Sequence, residues 1–258
     1  MFTGYGKCYR LDARELAEEH ARNSQHWTCT TLQHFKAILD SPAFPCLFGR
    51  KAVAAGSCHV LFARAQDAAN DIARGLADYI QALAFLPRKQ RVGCPLLVFL
   101  ETAAQTTLAE QQRLAWAILQ KVHARDPHPW PQDVPRDPQD SQWSFCFAGM
   151  PLFINMSFPA HRQMKSRNLG SSIAFVINPR DSFDEVASAA TESGQRIRAR
   201  IRERVGHYND GLIPQTLGFF GQDDNYEWQQ YQLQEPGSLS PARCPFQAGT
   251  TAERQIEN

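Results

Sequence analysis

Apolar residues in this chain switch between a spacing of three to four and a spacing of two, and the switches mark out its elements. Between Trp27 and Leu39, the positions Leu32, Phe35, Ile38 and Leu39 recur at helical spacing. Asp40-Ser41-Pro42 ends that helix, because proline lacks a donor and clashes with the preceding turn. Leu47 to Ala55 has room for about two helical turns, closed by Gly56 at the left-handed cap. Cys58 to Ala63 reads as a buried strand. Gln66 to Leu86 carries the stripe Ile72, Leu76, Tyr79, Ile80 and Leu83, with Pro87 after its end, and predicts a long helix. Pro95 to Leu100 is a continuous apolar run with proline at its start, as in a buried strand. Leu108 to Ala124 predicts a second amphipathic helix through Leu114, Ile118, Leu119 and Val122.

Residues 125 to 140 contain Pro127, Pro129, Pro131, Pro135 and Pro138, which excludes a helix or inner strand and predicts a long surface loop. The period then becomes two. In Trp143–Ala148, Trp143, Phe145 and Phe147 share one face, and Ser144, Cys146 and Ala148 the other. Leu152–Met156 and Ser172–Ile177 predict further strands, the latter apolar on both faces and therefore central. From Gln195 to Val205, arginines at 196, 198, 200, 202 and 204 surround a narrow seam of Ile197, Ile201 and Val205. Such a run is read as a solvated helix face. The order of elements predicts an α+β fold, a single mixed and largely antiparallel sheet covered by helices. All 258 residues are read as a single domain. Its ordered core runs from about residue 25 to 233, with 1–24 loosely ordered and 234–258 a mobile tail.

A formal net charge of +1 gives no global pull toward nucleic acid or an anionic membrane. No segment has the apolar length of a signal peptide core or a membrane-spanning helix, which predicts a cytoplasmic protein. The seven cysteines are scattered and include no CxxC. This argues against a disulfide framework or a structural zinc site, so a metal here is expected to arrive inside a cofactor.

Candidate chemistry sits in two places. The loop between the second and third of the late strands carries His161 among the cations Arg162, Lys165 and Arg167. Loops held by strands often carry function, although a basic surface loop has the same composition. Cys46, after Phe44-Pro45, falls at or beside a helix N-terminus, where amides and the helix dipole favour a thiolate. A buried structural cysteine is the competing reading. Signatures for dinucleotide, nucleoside-triphosphate, zinc-protease and serine-hydrolase sites are absent. A cofactor-free Cys46–His161 enzyme is chemically possible, without a spacing rule to support it.

Several short motifs occur together in order: Phe44-Pro45-Cys46 with Phe48-Gly49; Trp143 to Phe147 followed by Gly149; Pro159-Ala160-His161 followed by Ser166-Arg167; and Asn178-Pro179-Arg180 followed by Phe183-Asp184. Ile201-Arg202, Arg204-Val205 with Tyr208, Leu217-Gly218 with Gly221, and Glu227 to Tyr231 complete the series. In this order they resemble the YqcI/YcgG family, from about Trp27 to Leu233. Lys165 stands where arginine is expected, and the position stays cationic. The resemblance implies a haem b protein that uses O₂ and an electron-donor partner to N-hydroxylate an amino or guanidine group of an arginine-like small molecule. A haem carrier or gas sensor is the non-catalytic alternative. Cys46 is the expected axial ligand, because a thiolate promotes O–O cleavage, with His161 as the alternative ligand or a catalytic proton donor. Arg162, Lys165, Arg167 and Arg180 are candidates for the haem propionates. Phe145 and Phe147, with Phe153 and Phe158, are candidates for the apolar walls. Glu227 or Asp184 is the candidate partner of a guanidinium.

Overall fold

Six strands form a single sheet in the order β1-β2-β3-β6-β5-β4. They are β1 (Tyr9–Arg10), β2 (His59–Ala63), β3 (Leu96–Leu100), β4 (Phe145–Phe147), β5 (Met150–Ser157) and β6 (Ala174–Pro179). The structure, a computed structural model, describes residues 2–101, 106–182, 188 and 190–249. Only β2 and β3 run parallel, joined through a helical crossover, and the remaining neighbours are antiparallel. The fold is therefore α+β with one mixed, open sheet. The late strands pair as the period-two pattern predicts, and β6 is central between β3 and β5. Ala148 and Gly149, both at positive φ (50° and 72°), make the tight turn between β4 and β5.

The helices are α1 (Arg14–Arg22), α2 (Trp27–Asp40), α3 (Leu47–Ala54), α4 (Ala68–Ala84), α5 (Arg88–Arg91), α6 (Leu108–Ala124), α7 (Glu192–Tyr208) and α8 (Glu227–Tyr231). Thr107 and Glu110 form a reciprocal capping box that fixes the start of α6. None of the described helices is long and apolar enough to cross a membrane.

Alternation along the strands separates the sheet into two unlike faces. Leu61, Val98, Leu152, Ile154, Met156, Phe175 and Ile177 face α4 and α6, meeting Ile72, Leu76, Leu119 and Val122 in a continuous apolar layer. Each large side chain buried there contributes roughly 1.5–3 kcal/mol. The opposite face carries Val60, Phe62, Leu97 and Phe99, covered by the N-terminal segment and α2. Farther along β5 and β6, the same face presents Phe153, Asn155, Ser157, Val176, Asn178 and Arg180 to a cavity.

Both termini of the described chain are better anchored than the sequence predicts. Residues before 25 include β1 and α1, with Phe2, Tyr9, Leu11 and Leu16 buried in the second core cluster. Between residues 235 and 249 the chain docks rather than trailing. Phe246 is 1% exposed among His123, Trp130, Trp143 and Phe145. Gln120 and Gln247 also bond each other across α6. One aromatic anchor in a polar stretch leaves no periodic trace, which is why composition alone misjudges this segment. Within α6, Leu114 is exposed, and the buried stripe instead runs through Ala115, Ile118, Leu119 and Val122.

Candidate functional site

The second sheet face, α2, α3, α7, α8 and the loop around Leu217–Phe220 enclose a cavity of about 290 Å³. Its walls are mainly apolar: Phe35, Leu39, Phe44, Phe48, Val53, Leu97, Leu169, Val176 and Val205. A cluster of polar groups interrupts them, namely Cys46, Arg167, Asn178, Arg180, Ser182 and Glu227. An apolar enclosure with a few convergent polar groups is the usual form of a small-molecule or cofactor site.

Cys46 is the N-cap residue of α3, and Sγ accepts a hydrogen bond from the Gly49 N–H at 3.2 Å. Pro45 before it cannot continue a helix backward, so the helix begins at the thiol. Cys46 is exposed, and its accessible surface lies on the cavity. Burial pushes the thiol up, while the Gly49 and Phe48 amides and the Arg167 charge pull it down. Burial outweighs these neighbours, so the thiol lies above its ordinary value and the low polarity of the site opposes a negatively charged sulfur. A cation placed at Sγ would remove that opposition. Gly49 leaves room for the sulfur, since a Cβ there would lie 3.2 Å from Sγ.

Arg167 is delivered by the short 3₁₀ turn Lys165–Arg167 and is 5% exposed. Its guanidinium donates to the carbonyls of Gln230 (2.7 Å), Tyr231 (3.1 Å) and Met156 (3.4 Å) and to no carboxylate among the described residues. Burial lowers it to about 9. A buried guanidinium held only by carbonyl dipoles, beside a cavity, is ready for an anion. Ser182 Oγ is likewise buried on the cavity wall, without a partner among the described residues.

Glu227 opens α8 and is 2% exposed. Oε2 meets Arg180 Nε at 2.7 Å, and Oε1 accepts from the hydroxyls of Ser144 (2.6 Å) and Tyr231 (2.8 Å). Burial pushes this carboxyl up to about 7, against the opposing effects of Arg180, Ser144 and Tyr231. Arg180 also stacks its guanidinium over Phe220, 3.9 Å from the ring centroid.

The sequence candidates therefore divide. Cys46, Arg167, Arg180 and Glu227 come together on one cavity, with Phe153 beside them. His161 does not join them. It is buried with Nδ1 2.9 Å from Glu235 Oε1, and burial lowers its pKa despite that carboxylate. Glu235 also accepts the backbone N–H groups of Arg162, Gln163 and Met164, so His161 belongs to a clasp between the loop and the C-terminal segment. Arg162 is exposed and Lys165 pairs with Asp210. Neither lines the cavity; the 3₁₀ turn that begins at Lys165 directs only Arg167 inward. Phe145 and Phe147 lie in the opposite core beneath α6, and Phe158 packs against His161. Asp184 lies outside the described residues.

Sequence reasoning also missed side chains. Ser144 and Tyr231 were seen only as parts of motifs. Arg198 and Arg202 line the cavity, with Arg198 Nη1 donating to Gly218 O at 3.1 Å and Arg202 bonded to Leu217 O. Both stack on Phe219, at 4.6 and 5.5 Å. Their spacing with Ile201 and Val205 would have placed them on the inward side of α7, had the seam been drawn wider.

No solved structure matches the chain. Among curated proteins, it is 38% identical over 224 residues to "Putative N(omega)-hydroxy-L-arginine synthase DcsA" of Streptomyces lavendulae, covering 85% of this chain and 84% of that protein. It is 31% identical to the uncharacterized protein YcgG of Bacillus subtilis (strain 168), covering 80% of this chain and 82% of that one. YqcI of the same strain is 30% identical, with 79% and 80% covered. The model of the YqcI/YcgG family matches residues 35–247, a span that holds every cavity residue described above. The chain belongs to the YqcI/YcgG family.

Proposed function

We propose that this protein is a haem-dependent monooxygenase that N-hydroxylates the guanidine of arginine or an arginine-like amino acid. The observation that carries the reading is Cys46: a helix-capping thiol with an amide donor at 3.2 Å, opening on a mainly apolar cavity. The naming of the Streptomyces lavendulae relative as an N-hydroxy-arginine synthase supports the substrate class.

The residues present fit a haem. Cys46 would supply a thiolate to the iron, and His161, away from the cavity wall, would not. Arg167, which has no carboxylate partner among the described residues, would take a propionate, with the Ser182 hydroxyl as a further donor. The apolar walls formed by Phe44, Phe48, Val53 and Leu169 would flank the macrocycle. When bound, a haem held by a thiolate would supply O₂ activation; with two electrons from a redox partner and two protons, one oxygen atom would go to nitrogen and the other would leave as water. The chain's own contributions are electrostatic and steric. The Gly49 and Phe48 amides hold charge on Sγ. Glu227, oriented by Arg180 Nε, Ser144 and Tyr231, would bind the guanidinium as a carboxylate and fix its nitrogens. The loop Leu217–Phe220 and α7 form one side of the cavity.

Protein purified with haem supplied is expected to be coloured, with a strongly red-shifted ferrous–carbonyl Soret band. Arginine, guanidines and amines are then offered with O₂ and reductant, and products are read by mass for a gain of one oxygen. A colourless protein that takes up no haem overturns the proposal. Haem uptake without oxygenated product would leave a carrier or sensor.

A further inference from the structure

The arginine run of α7 contains one member with a different task. Arg204 is half-buried and reaches the loop that precedes Cys46, far away in sequence. Nη2 donates to the carbonyls of Pro42 at 2.7 Å and Phe44 at 2.8 Å, and Nε donates to Pro45 O at 3.3 Å. Five donors in a rigid plane allow one guanidinium to hold several carbonyls at fixed angles, which a lysine cannot do. Two prolines and the helix start already restrict this loop, but they fix dihedral angles rather than its distance from α7. Arg204 fixes that distance. The next residue, Val205, lines the same cavity as Cys46, so one stretch of α7 sets both a part of the wall and the loop that presents the thiol. Arg50 reinforces the arrangement from within α3, donating to Leu39 O at 3.1 Å.

We infer that Arg204 is a positioning residue that holds Phe44-Pro45-Cys46 so that Sγ sits on the amides of α3 and faces the cavity. As an inference about Cys46 geometry it stands on the contacts themselves; its importance for catalysis rests on the haem reading above. It also separates Arg204 from the exposed Arg196 and Arg200 of the same helix.

The test uses haem-free full-length protein and follows alkylation of Cys46 by iodoacetamide against pH, with peptide mapping to separate the cysteines. Three variants are compared: Arg204→Ala, Arg204→Lys and Arg200→Ala. Positioning predicts that the pH midpoint for Cys46 moves up in both Arg204 variants, more in the alanine, and stays in place in Arg200→Ala. The lysine variant matters because it keeps the charge and loses the fork. If Arg204→Lys matches wild type while Arg204→Ala shifts, the effect is charge alone and the inference fails. It fails as well if Arg200→Ala shifts equally, or if folded Arg204→Ala coincides with wild type. Should the alanine variant not fold, the lysine variant carries the comparison. After haem is supplied, both Arg204 variants are expected to lose part of the red-shifted ferrous–carbonyl band. If wild type takes up no haem, the haem proposal falls, while the alkylation result still decides the role of Arg204.

Discussion

The two faces of the sheet are made by the same strands and differ in almost everything else. On β6, Phe175 and Ile177 enter a dry layer under α4 and α6, while Val176, Asn178 and Arg180 look into the cavity. On β5, Leu152, Ile154 and Met156 oppose Phe153, Asn155 and Ser157 in the same way. A closely packed core resists displacement, so this face can hold the cavity face in register. The buried charges Arg167, Arg180 and Glu227 are costly to bury and contribute little to folding by themselves. Their place against a rigid layer is what a binding site requires.

The sharpest way to break this division is to remove the one group that defines the cavity chemically. Cys46→Ala is expected to abolish the red-shifted ferrous–carbonyl band outright, and His161→Ala to leave it in place. A band that survives Cys46→Ala but not His161→Ala would exchange the two roles. Next in size is a pair of neighbours on β6. Phe175→Ala should cost about 3–5 kcal/mol in denaturant unfolding, because it empties a closed core. Val176→Phe should cost less than about 1 kcal/mol, since the cavity accepts the ring. Haem uptake should respond the other way, kept by the first variant under folding conditions and reduced by the second. Equal stability losses in the two would mean that the cavity face is packed as tightly as the other.

Most of the dry face is legible in the sequence, because helix and strand periods report burial directly. α6 falls on Leu108–Ala124 as the pattern predicts, and β5 and β6 lie within a few residues of their expected limits. Cys46 at a helix start is legible too, since proline before it and Gly56 after it, at φ 63°, punctuate the element on both sides. The cavity is less so. Arg167 and Arg162 are alike in composition, and only the 3₁₀ turn makes one buried and the other exposed. The Glu227–Ser144–Tyr231 network joins residues 83 and 87 positions apart, a closeness that no local pattern encodes. The His161–Glu235 contact likewise spans 74 positions.

Arg167→Ala tests whether the cavity's unpaired cation is there for an anion. If it holds a propionate, the variant should retain haem less well by roughly 1.5–3 kcal/mol, about ten- to a hundredfold in transfer of haem to apomyoglobin. Arg162→Ala, which touches neither the cavity nor the carbonyls of α8, should be unchanged. Haem loss at the wild-type rate in Arg167→Ala would assign that guanidinium to structure alone.

The smallest effect expected is a pH dependence that comes from Glu227. Its carboxyl is pushed up to about 7 by burial, with Arg180 the largest opposing influence. Only the ionised form attracts a guanidinium, so arginine affinity should rise as pH increases through about 7 and level off above it. The same shift acts on folding with the opposite sense. Between the unfolded value, 4.5, and about 7 the folded state holds a proton that the unfolded state has released. This group's contribution to stability is therefore full below about 4.5 and is lost as pH rises through about 7. Bound guanidinium should offset that loss, because it favours the charged carboxylate. Glu227→Gln keeps the shape and most hydrogen bonds but cannot ionise. It should flatten both profiles in this window and leave the ferrous–carbonyl band of Cys46 in place. Calorimetric titration of arginine and thermal unfolding, each from pH 5 to 8, give the two curves. If Glu227→Gln reproduces the wild-type rise in arginine affinity, the guanidinium is held elsewhere, and Glu227 serves only to anchor Arg180 and α8 to the sheet.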